Sequence, residues 1–339
     1  MSFNDLRLLL PVLLLSGCGT APLSVTDRPA SAWLAYAANT DSRYQVYTQK
    51  DNNPPQNGCP EDKICTDPQW LGTSHLIFVA RHTKGYALIT TNPEQSPPTY
   101  TTQFESLHPI SAVHATPHSE HYTFQSGPLG QEQIYTGALK TSPKAQTTGR
   151  YPRVSRQGDR VAYLHKQRIC IWALDAGTSQ CLTPANEADF SPRWSPDGES
   201  LAYLHQRDKG WYLAHMQADG SQRQVLYTAQ EALAPAWSPA GKSLAFITPG
   251  KFESDTEEAP TQDPEQGLWI LPLDSLKAEQ VSRGRGHSNP FWLTEDLLFF
   301  QASQTGSSNI YRLDVQSQNV TPLTQSEATH LLGGVKTTT

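Results

Sequence analysis

Short apolar segments recur along the chain between polar stretches that are rich in turn-forming residues. Examples are residues 201–204 (LAYL), 244–247 (LAFI) and 268–271 (LWIL), each with Gly, Pro or Asp a few positions away. Apolar runs of this length with such neighbours are typical of β-strands, whereas amphipathic helices need longer segments with a spacing of three to four residues. The pattern therefore predicts a chain of many short strands.

The strands recur in a repeated unit. Residues 192–204 (PRWSPDGESLAYL) align without a gap with residues 235–247 (PAWSPAGKSLAFI), and residues 152–164 (PRVSRQGDRVAYL) are a weaker copy. Weaker units again begin at Pro68, Pro109 and Pro290, so that the six starts are 41, 43, 40, 43 and 55 residues apart. A period of about 40 residues indicates that one supersecondary unit is repeated along the chain.

Each unit has the same internal order. A short strand leads into a turn such as residues 195–198 (SPDG), in which Pro pre-sets φ at the second position and Gly tolerates the fourth. An apolar strand, a polar loop, a third strand, another turn and an outer strand follow. Four short antiparallel strands per 40 residues are typical of one blade of a β-propeller.

The turn sequence Trp-Ser-Pro-Asp-Gly followed by an apolar strand resembles the TolB-type, WD40-like repeat family, over about residues 31–335. The resemblance implies an all-β propeller in which the Trp of each unit packs between blades and the turn lies on the rim. Proteins of the TolB type carry an α/β domain before the propeller, and we expect this chain to lack that domain. The motif residues to which the resemblance gives a structural role are Trp194, Pro196, Asp197, Gly198, Trp237, Pro239 and Gly241.

We expect seven blades, with six as the alternative if the weak unit at Pro109 is not a full blade. Residues 33–66 hold a seventh unit without its first strand, with predicted strands at 33–37, 44–47 and 63–66. The C-terminal segment 330–335 is expected to supply the missing inner strand. A ring closed by strands from both ends of the chain leaves no open edge to template aggregation.

The N-terminus predicts the compartment. Arg7 precedes an apolar run over residues 8–15, which is too short for a bilayer span and is typical of a secretory signal. The run ends in residues 15–18 (LSGC), which resemble the bacterial lipobox; this implies cleavage before Cys18 and acylation of its thiol. An ordinary cleaved signal that contains a Cys is the alternative. Gly19 stands where inner-membrane lipoproteins carry Asp, which favours the outer membrane, on its periplasmic side.

These features divide the chain into four predicted parts: a signal peptide at 1–17, a lipidated tether at 18–30, the propeller at 31–335 and a C-terminal tail at 336–339. Four cysteines remain after Cys18. Cys59 and Cys65 are six residues apart, and Cys170 and Cys181 are eleven apart around a predicted hairpin turn at 175–177. Both spacings suit local disulfides in an oxidising compartment. Zinc binding is the alternative, but neither pair has C-x-x-C spacing.

Charge and motifs limit the function. The net charge of -6 disfavours a nucleic-acid binder. The nearest approach to a G-x-S-x-G elbow is residues 241–245 (GKSLA), where Ser243 holds the same repeat position as Ser200, so we interpret the match as structural. We assign no catalytic residue, metal or cofactor, and we expect a monomer.

Two features suggest binding sites. His165 and His205 hold equivalent positions at the ends of second strands, and Arg81 and His82 fall close to the same place; together they form a possible ligand site at the channel mouth. Some seven-bladed polysaccharide lyases use channel histidines and Mn²⁺ there. Shared ancestry of the repeat explains the two histidines equally well. His108, His114, His118 and His121 are interpreted as solvated loop residues.

The unit of 55 residues contains an acidic insertion at 249–266, with six acidic residues and one Lys. It is a possible partner-binding arm, with a solvated loop as the alternative. The arm residues are Glu253, Asp255, Glu257 and Glu258. We therefore expect a membrane-anchored propeller that binds an envelope protein or peptide. The alternative is a propeller enzyme or sugar-binding protein that acts on a glycan at the channel mouth.

Overall fold

The computed structural model describes most of the chain as β-strands. The described residues are 32–40, 43–51, 53–207, 210–228, 232–248, 266–284, 286–304, 307–324 and 330–337. Within these ranges the chain forms 28 strands and no helix, hence no helix suited to crossing a membrane. The predicted signal peptide, Cys18, the tether and the acidic residues Glu253, Asp255, Glu257 and Glu258 lie outside the described residues.

The first half of the strands are short and follow one another in chain order. They are β1 (Ala32–Thr40), β2 (Arg43–Lys50), β3 (Gln56–Asn57), β4 (Ile64–Leu71), β5 (His75–His82), β6 (Gly85–Thr91), β7 (Tyr100–Ser106), β8 (Ile110–Thr116), β9 (Ser119–Ser126), β10 (Gln133–Ala138), β11 (Lys144–Thr148), β12 (Arg150–Val154), β13 (Arg160–His165) and β14 (Arg168–Ala173).

The second half continues in the same way to the C-terminus. These strands are β15 (Thr178–Cys181), β16 (Asp189–Trp194), β17 (Ser200–Arg207), β18 (Gly210–Gln217), β19 (Gln224–Tyr227), β20 (Leu233–Trp237), β21 (Ser243–Thr248), β22 (Gly267–Pro272), β23 (Glu279–Arg283), β24 (Ser288–Thr294), β25 (Leu297–Gln304), β26 (Ser307–Asp314), β27 (Asn319–Pro322) and β28 (His330–Thr337).

The described strands form seven four-stranded antiparallel sheets, which we number as blades 1 to 7. Blade 1 has the order β28-β1-β2-β3, and each later blade takes the next four strands along the chain, ending with β24 to β27 in blade 7. The inner strands β28, β4, β8, β12, β16, β20 and β24 contact one another in this order, and β24 contacts β28 again. The molecule is therefore a closed seven-bladed β-propeller, as predicted, and the weak unit at Pro109 is a full blade.

The C-terminal strand closes the ring as predicted. β28 pairs antiparallel with β1, with Leu34 opposite Val335 and Ala37 opposite Leu331, and so supplies the inner strand of blade 1. One prediction in this blade was wrong: residues 64–66 are not its outer strand but the start of β4, where Ile64 lies opposite Arg81. The outer strand is the two-residue β3, because the chain turns at residues 58–63 and enters the next blade early.

The hydrophobic core is divided among the interfaces between blades. The buried apolar residues of the described chain form seven clusters, and each cluster joins two neighbouring blades. Side chains on alternate positions of a strand point to opposite faces, so each sheet contributes to the clusters on both of its sides. The smallest cluster, between blades 3 and 4, is built around Ile134, Tyr163 and Cys170.

Both predicted disulfides are present. Cys170 and Cys181 lie directly opposite each other on β14 and β15 of blade 4. Cys59 follows the outer strand of blade 1 and bonds to Cys65 in the inner strand of blade 2. The Cys170–Cys181 disulfide thus links two strands of one blade, and the Cys59–Cys65 disulfide links blade 1 to blade 2.

The tryptophans of the repeat connect inner strands. The indole nitrogen of Trp194 donates a hydrogen bond to the carbonyl oxygen of Arg153 over 2.9 Å, and that of Trp237 donates to Arg193 over 3.0 Å. Trp292 makes the same bond to Ala236 over 3.2 Å. In each pair the acceptor lies on the inner strand of the preceding blade, so one indole satisfies a backbone carbonyl across each of these interfaces.

The Ser-Pro-Asp-Gly turn is held by its own side chains. Gly198 has a φ of 78°, which an L-residue adopts only at a cost, and its N–H donates to the Ser195 carbonyl over 3.0 Å. The carboxylate of Asp197 accepts from the Glu199 N–H over 2.9 Å. Gly241 repeats this geometry with a φ of 72°. The carbonyl oxygens of Asp197 and Gly198 accept from Gln157 and Arg160 of the preceding blade, which favours a structural role for the turn.

A β-bulge recurs in every inner strand. The register between the first two strands of each blade shifts by an extra residue, for example between Arg150 and Arg153 and between Phe190 and Arg193. In blades 2 to 7 one bulge residue has a positive φ: Asp67, Ala112, Tyr151, Ser191, Ala234 and Asn289. A bulge bends a strand and re-aims its side chains. In this ring the bulges lie beside the central channel.

Candidate ligand-binding site at the channel mouth

Side chains just after the bulges line the central channel. Gln69 donates to the carbonyl oxygen of Gly333 on the neighbouring inner strand over 2.9 Å, and the Val154 N–H donates to His114 Nδ1 over 3.2 Å. The charge of Arg193 in blade 5 also acts on His114 in blade 3, and that of Arg153 in blade 4 acts on Asp67 in blade 2. Interactions between blades that are not adjacent indicate that these side chains face the channel that the inner strands share.

Two arginines give the channel a positive charge. Arg153 and Arg193 hold equivalent positions on neighbouring inner strands, and each donates one Nη1–H to the carbonyl oxygen of the proline before it, over 2.9 and 3.1 Å. Among the described residues no carboxylate lies within 4 Å of either guanidinium. Burial lowers the pKa of Arg193 to about 10, and burial together with repulsion from Arg193 lowers the pKa of Arg153. Two partly desolvated cations therefore lie side by side without a directly contacting carboxylate among the described residues, and the charge of Asp67 acts on Arg153 from a longer distance.

His114 is held neutral by this environment. Burial lowers its pKa well below the ordinary value of 6.5, and the charges of Arg153 and Arg193 lower it further. Its Nδ1 accepts the hydrogen bond from Val154, which is possible only while that nitrogen carries no proton. Protonation would add a third positive charge to the channel and would break this bond.

We expect the pH dependence of stability to report this histidine. Because its folded pKa lies below the unfolded value, its contribution is present above pH 6.5 and is lost as the pH falls below it, by up to about 1.4 kcal/mol per pH unit. His114→Gln keeps an acceptor for Val154 but cannot take up a proton. Urea unfolding between pH 7.5 and 5 should show a shallower loss of stability in this variant than in the wild type, and identical slopes would contradict the assignment.

A cavity of about 270 Å³ opens where inner strands begin and second strands end, and we call this end of the channel the channel mouth. The cavity, which we call the mouth cavity, is shared by blades 4, 5 and 6. Its polar lining is Tyr151, Arg153 and Ser191, and its apolar lining is Leu164, Phe190, Leu204, Trp211 and Leu233.

The walls of the mouth cavity follow from strand register. Phe190 lies opposite Leu204 in blade 5, and the rings of Phe190 and Trp211 meet edge to face with centroids 4.6 Å apart. Tyr151 is 47% exposed at the rim, in the bulge of blade 4. Arg153 follows two positions later and brings its positive charge to the cavity. An apolar pocket with a few convergent polar groups is the usual form of a binding site.

An acid–histidine cluster of Glu187, Asp189 and His205 adjoins this cavity. Their ligand atoms lie within 4.8 Å of one another, and His205 Nδ1 is 2.8 Å from the fully buried Asp189 carboxylate. Burial raises the pKa of Asp189, and the hydrogen bond with His205 opposes this effect. Arg223 forms an ion pair with Glu187 and lies 3.8 Å from Asp189. Because the guanidinium of Arg223 lies within 4 Å of both carboxylates, we interpret the cluster as an ion-pair network of blade 5 and the segment that leads into it.

The other predicted mouth residues are dispersed. In blade 4, His165 Nδ1 lies 3.1 Å from the carbonyl oxygen of Thr148. Thr148 is the last residue of β11, the outer strand of blade 3. In blade 2, Arg81 lies over the ring of Tyr86 and His82 accepts from the Lys84 N–H. Only His205 joins a group of titratable side chains. In the described part of the chain, that group holds one histidine and two carboxylates.

The channel residues were not identified from the sequence. Arg153 and Arg193 occur in the Pro-Arg pairs of two repeat units, whereas the third clear unit has Pro-Ala at 235–236. An arginine at the same position of two repeat units was the available signal. His114 was interpreted as a solvated loop histidine, but the structure places it within β8, in the channel.

Comparison with known proteins gives the fold only. No family model matches the chain, and no curated protein matches it. Among solved structures, TolB from Acinetobacter baumannii has a TM-score of 0.55 and 13% identity, covering 90% of this chain and 83% of that one. An oligogalacturonate lyase in complex with manganese has a TM-score of 0.62 and 12% identity, covering 87% and 85%.

A Mycobacterium tuberculosis puromycin-hydrolyzing peptidase has a TM-score of 0.60 and 13% identity. It covers 88% of this chain, which spans only 53% of the peptidase. The propeller thus has the fold of a TolB protein, of a lyase and of about half of a peptidase chain. At these identities the likeness extends to architecture and not to chemistry. The chain is a seven-bladed β-propeller, similar in fold to TolB.

Proposed function

We propose that the protein is a lipid-anchored propeller on the periplasmic side of the bacterial outer membrane, where it binds an envelope protein or peptide without catalysing a reaction. The mouth cavity carries this proposal. It combines an aromatic wall of Phe190 and Trp211 with the positive charge of Arg153, which forms no ion pair within the described residues. Strands of three blades hold these groups, which suits recognition.

The proposed location rests on the sequence. Arg7, the apolar run and the LSGC quartet supply the features of a lipoprotein signal. Two disulfides are consistent with an oxidising compartment. Acyl chains on Cys18 would hold the propeller at the membrane, since each buried CH₂ contributes about 0.8 kcal/mol. Metabolic labelling with an azido-palmitate should mark the wild type and not a Cys18→Ala variant.

A glycan-binding protein is the second candidate. The aromatic wall beside an arginine also suits an acidic sugar, and the same fold occurs in an oligogalacturonate lyase. The described acid–histidine cluster does not favour a lyase, because Arg223 already pairs with its acids. The decisive measurement is therefore to identify which kind of molecule, a protein or a polysaccharide, contacts the cavity.

Site-specific photocrosslinking in intact envelopes tests the proposal. A photoreactive phenylalanine replaces Tyr151 at the cavity rim in one variant. In the control it replaces Arg156, which is exposed on the turn at the other end of the same blade. We expect a discrete protein adduct from position 151 and not from position 156. Equal adducts from both positions, or none from position 151, would contradict a protein partner at the mouth; a polysaccharide adduct would favour the second candidate.

A further inference from the structure

We propose that the mouth cavity recognises the free C-terminal carboxylate of a peptide whose last residue is apolar. This inference rests on the proposed function and names the chemistry of its ligand. Arg153 binds the carboxylate, Arg193 lies behind it as a second positive charge, and the Phe190–Trp211 wall accepts the terminal side chain.

The first step of the argument is the unused hydrogen-bonding capacity of the arginines. A guanidinium has five N–H donors in a planar fork that matches a carboxylate. Arg153 and Arg193 each give one side-chain hydrogen bond to a proline carbonyl, and neither has an ion pair within the described chain. A ligand carboxylate would complete the fork of Arg153 and reduce the repulsion between the two cations.

The second step is the size of the cavity. Its volume of about 270 Å³ is below the roughly 300–1,000 Å³ of pockets that enclose drug-sized molecules. A C-terminal residue carries its carboxylate and its side chain on one Cα, so both groups fit a single small cavity. An internal Asp or Glu would bring chain on both sides of the charged group, for which this cavity has little room.

The third step is the balance of polar and apolar lining. Besides Arg153, the polar side chains at the cavity are the hydroxyl-bearing Tyr151 and Ser191, and the other five lining residues are apolar. A sugar or a phosphate ester would bring many polar groups that need partners, and burying them unpaired is costly. A carboxylate with an apolar side chain matches one cationic group and a hydrophobic wall.

Fluorescence anisotropy with defined peptides tests this inference on the purified propeller. The probes are hexapeptides with an N-terminal fluorescein and the sequence Gly-Ser-Gly-Ser-Gly followed by Leu, Phe or Gly, each as a free acid and as a C-terminal amide. We expect the Leu or Phe acid to bind. The amide should bind about tenfold or more weakly because it offers no charged group to Arg153, and the Gly acid about tenfold or more weakly because it has no side chain for the Phe190–Trp211 wall.

Two arginine variants and one control identify the site. Arg153→Met should abolish the preference for the acid over the amide, whereas Arg153→Lys should retain part of it. Arg156→Met, on the opposite face, should bind as the wild type does. Thermal unfolding of each variant shows whether it is folded, and the Lys variant keeps the test informative if the Met variant is not.

Three outcomes would overturn the inference: equal binding of acid and amide, no binding of any peptide, or a preference for acid that survives Arg153→Met. If any of these occurs while the adduct at position 151 persists, the proposed scaffold function stands and only the ligand class is wrong. If a galacturonate oligomer present during irradiation suppresses formation of the adduct, and none of the peptides does, the glycan candidate would be favoured instead.

Discussion

Removal of residues 330–339 is expected to abolish cooperative unfolding of the ring and to leave an aggregation-prone chain. This segment contains β28, which is the inner strand of blade 1 and pairs along β1. Without β28, the β1 edge would present unpaired N–H and C=O groups that template association. The inner strands of blades 2 and 7 would also lose the strand that lies between them. The total cost should reach the whole stability of a typical domain, about 5–15 kcal/mol.

Differential scanning calorimetry and size-exclusion chromatography measure this effect. A shorter truncation that removes only residues 338–339 leaves β28 complete and serves as the control. A peptide of residues 330–339 added in trans should restore part of the transition. A 1–329 chain that remained monomeric and melted like the wild type would show that closure by β28 is dispensable.

Gly333→Ala tests the same ring closure by adding a single methyl group, and we expect it to destabilise the ring. Gly333 is the extra residue of the bulge in β28, opposite the Ala35–Tyr36 step of β1. A Cβ at this position would overlap the carbonyl oxygen of Pro68 on the neighbouring inner strand. Gly58→Ala is the matched control, because its Cβ would make only ordinary contacts with Val46.

Trp70→Ala should cost about 3–5 kcal/mol of unfolding free energy, the range for truncating a buried Trp. Trp70 is only 2% exposed and packs edge-on against Trp33, with ring centroids 5.9 Å apart. The ammonium group of Lys336 lies 4.3 Å from the centre of the Trp70 ring and donates a hydrogen bond to the Thr73 carbonyl oxygen. Because Lys336 belongs to β28, this indole joins the interface of blades 1 and 2 to the closing strand.

Urea unfolding of Trp70→Ala and of Trp211→Ala makes this comparison. Trp211 is a half-buried side chain of the mouth cavity, so the same substitution removes less buried surface there. A double-mutant cycle of Trp70→Ala and Lys336→Met should give a coupling free energy of about 2 kcal/mol in the unfolding free energy, the value for a desolvated cation–π pair. Equal losses at positions 70 and 211 would contradict the role of Trp70 in ring closure.

The architecture was predicted because its causes are local. Residues 195–198 form their turn through their own side chains, and residues 201–204 form a strand because of their spacing and apolar character. Each unit repeats these instructions, so the period and the number of units predicted seven blades and closure by the C-terminal segment, and the spacing of the cysteines predicted both disulfides. The prediction for residues 64–66 failed because an apolar run near a cysteine does not show which of two blades it joins.

The candidate site was not predicted, since its members come from separate repeats. The sequence by itself determined the strand pattern, the turns and the number of modules, because these depend on residues that are close along the chain. Only the tertiary structure brought Arg153, Arg193 and His114 together around one axis and placed the Phe190–Trp211 wall beside them. The physical reason is ring closure: it alone turns equivalent positions on distant segments into neighbours, and it leaves two of their cations without an ion pair among the described residues.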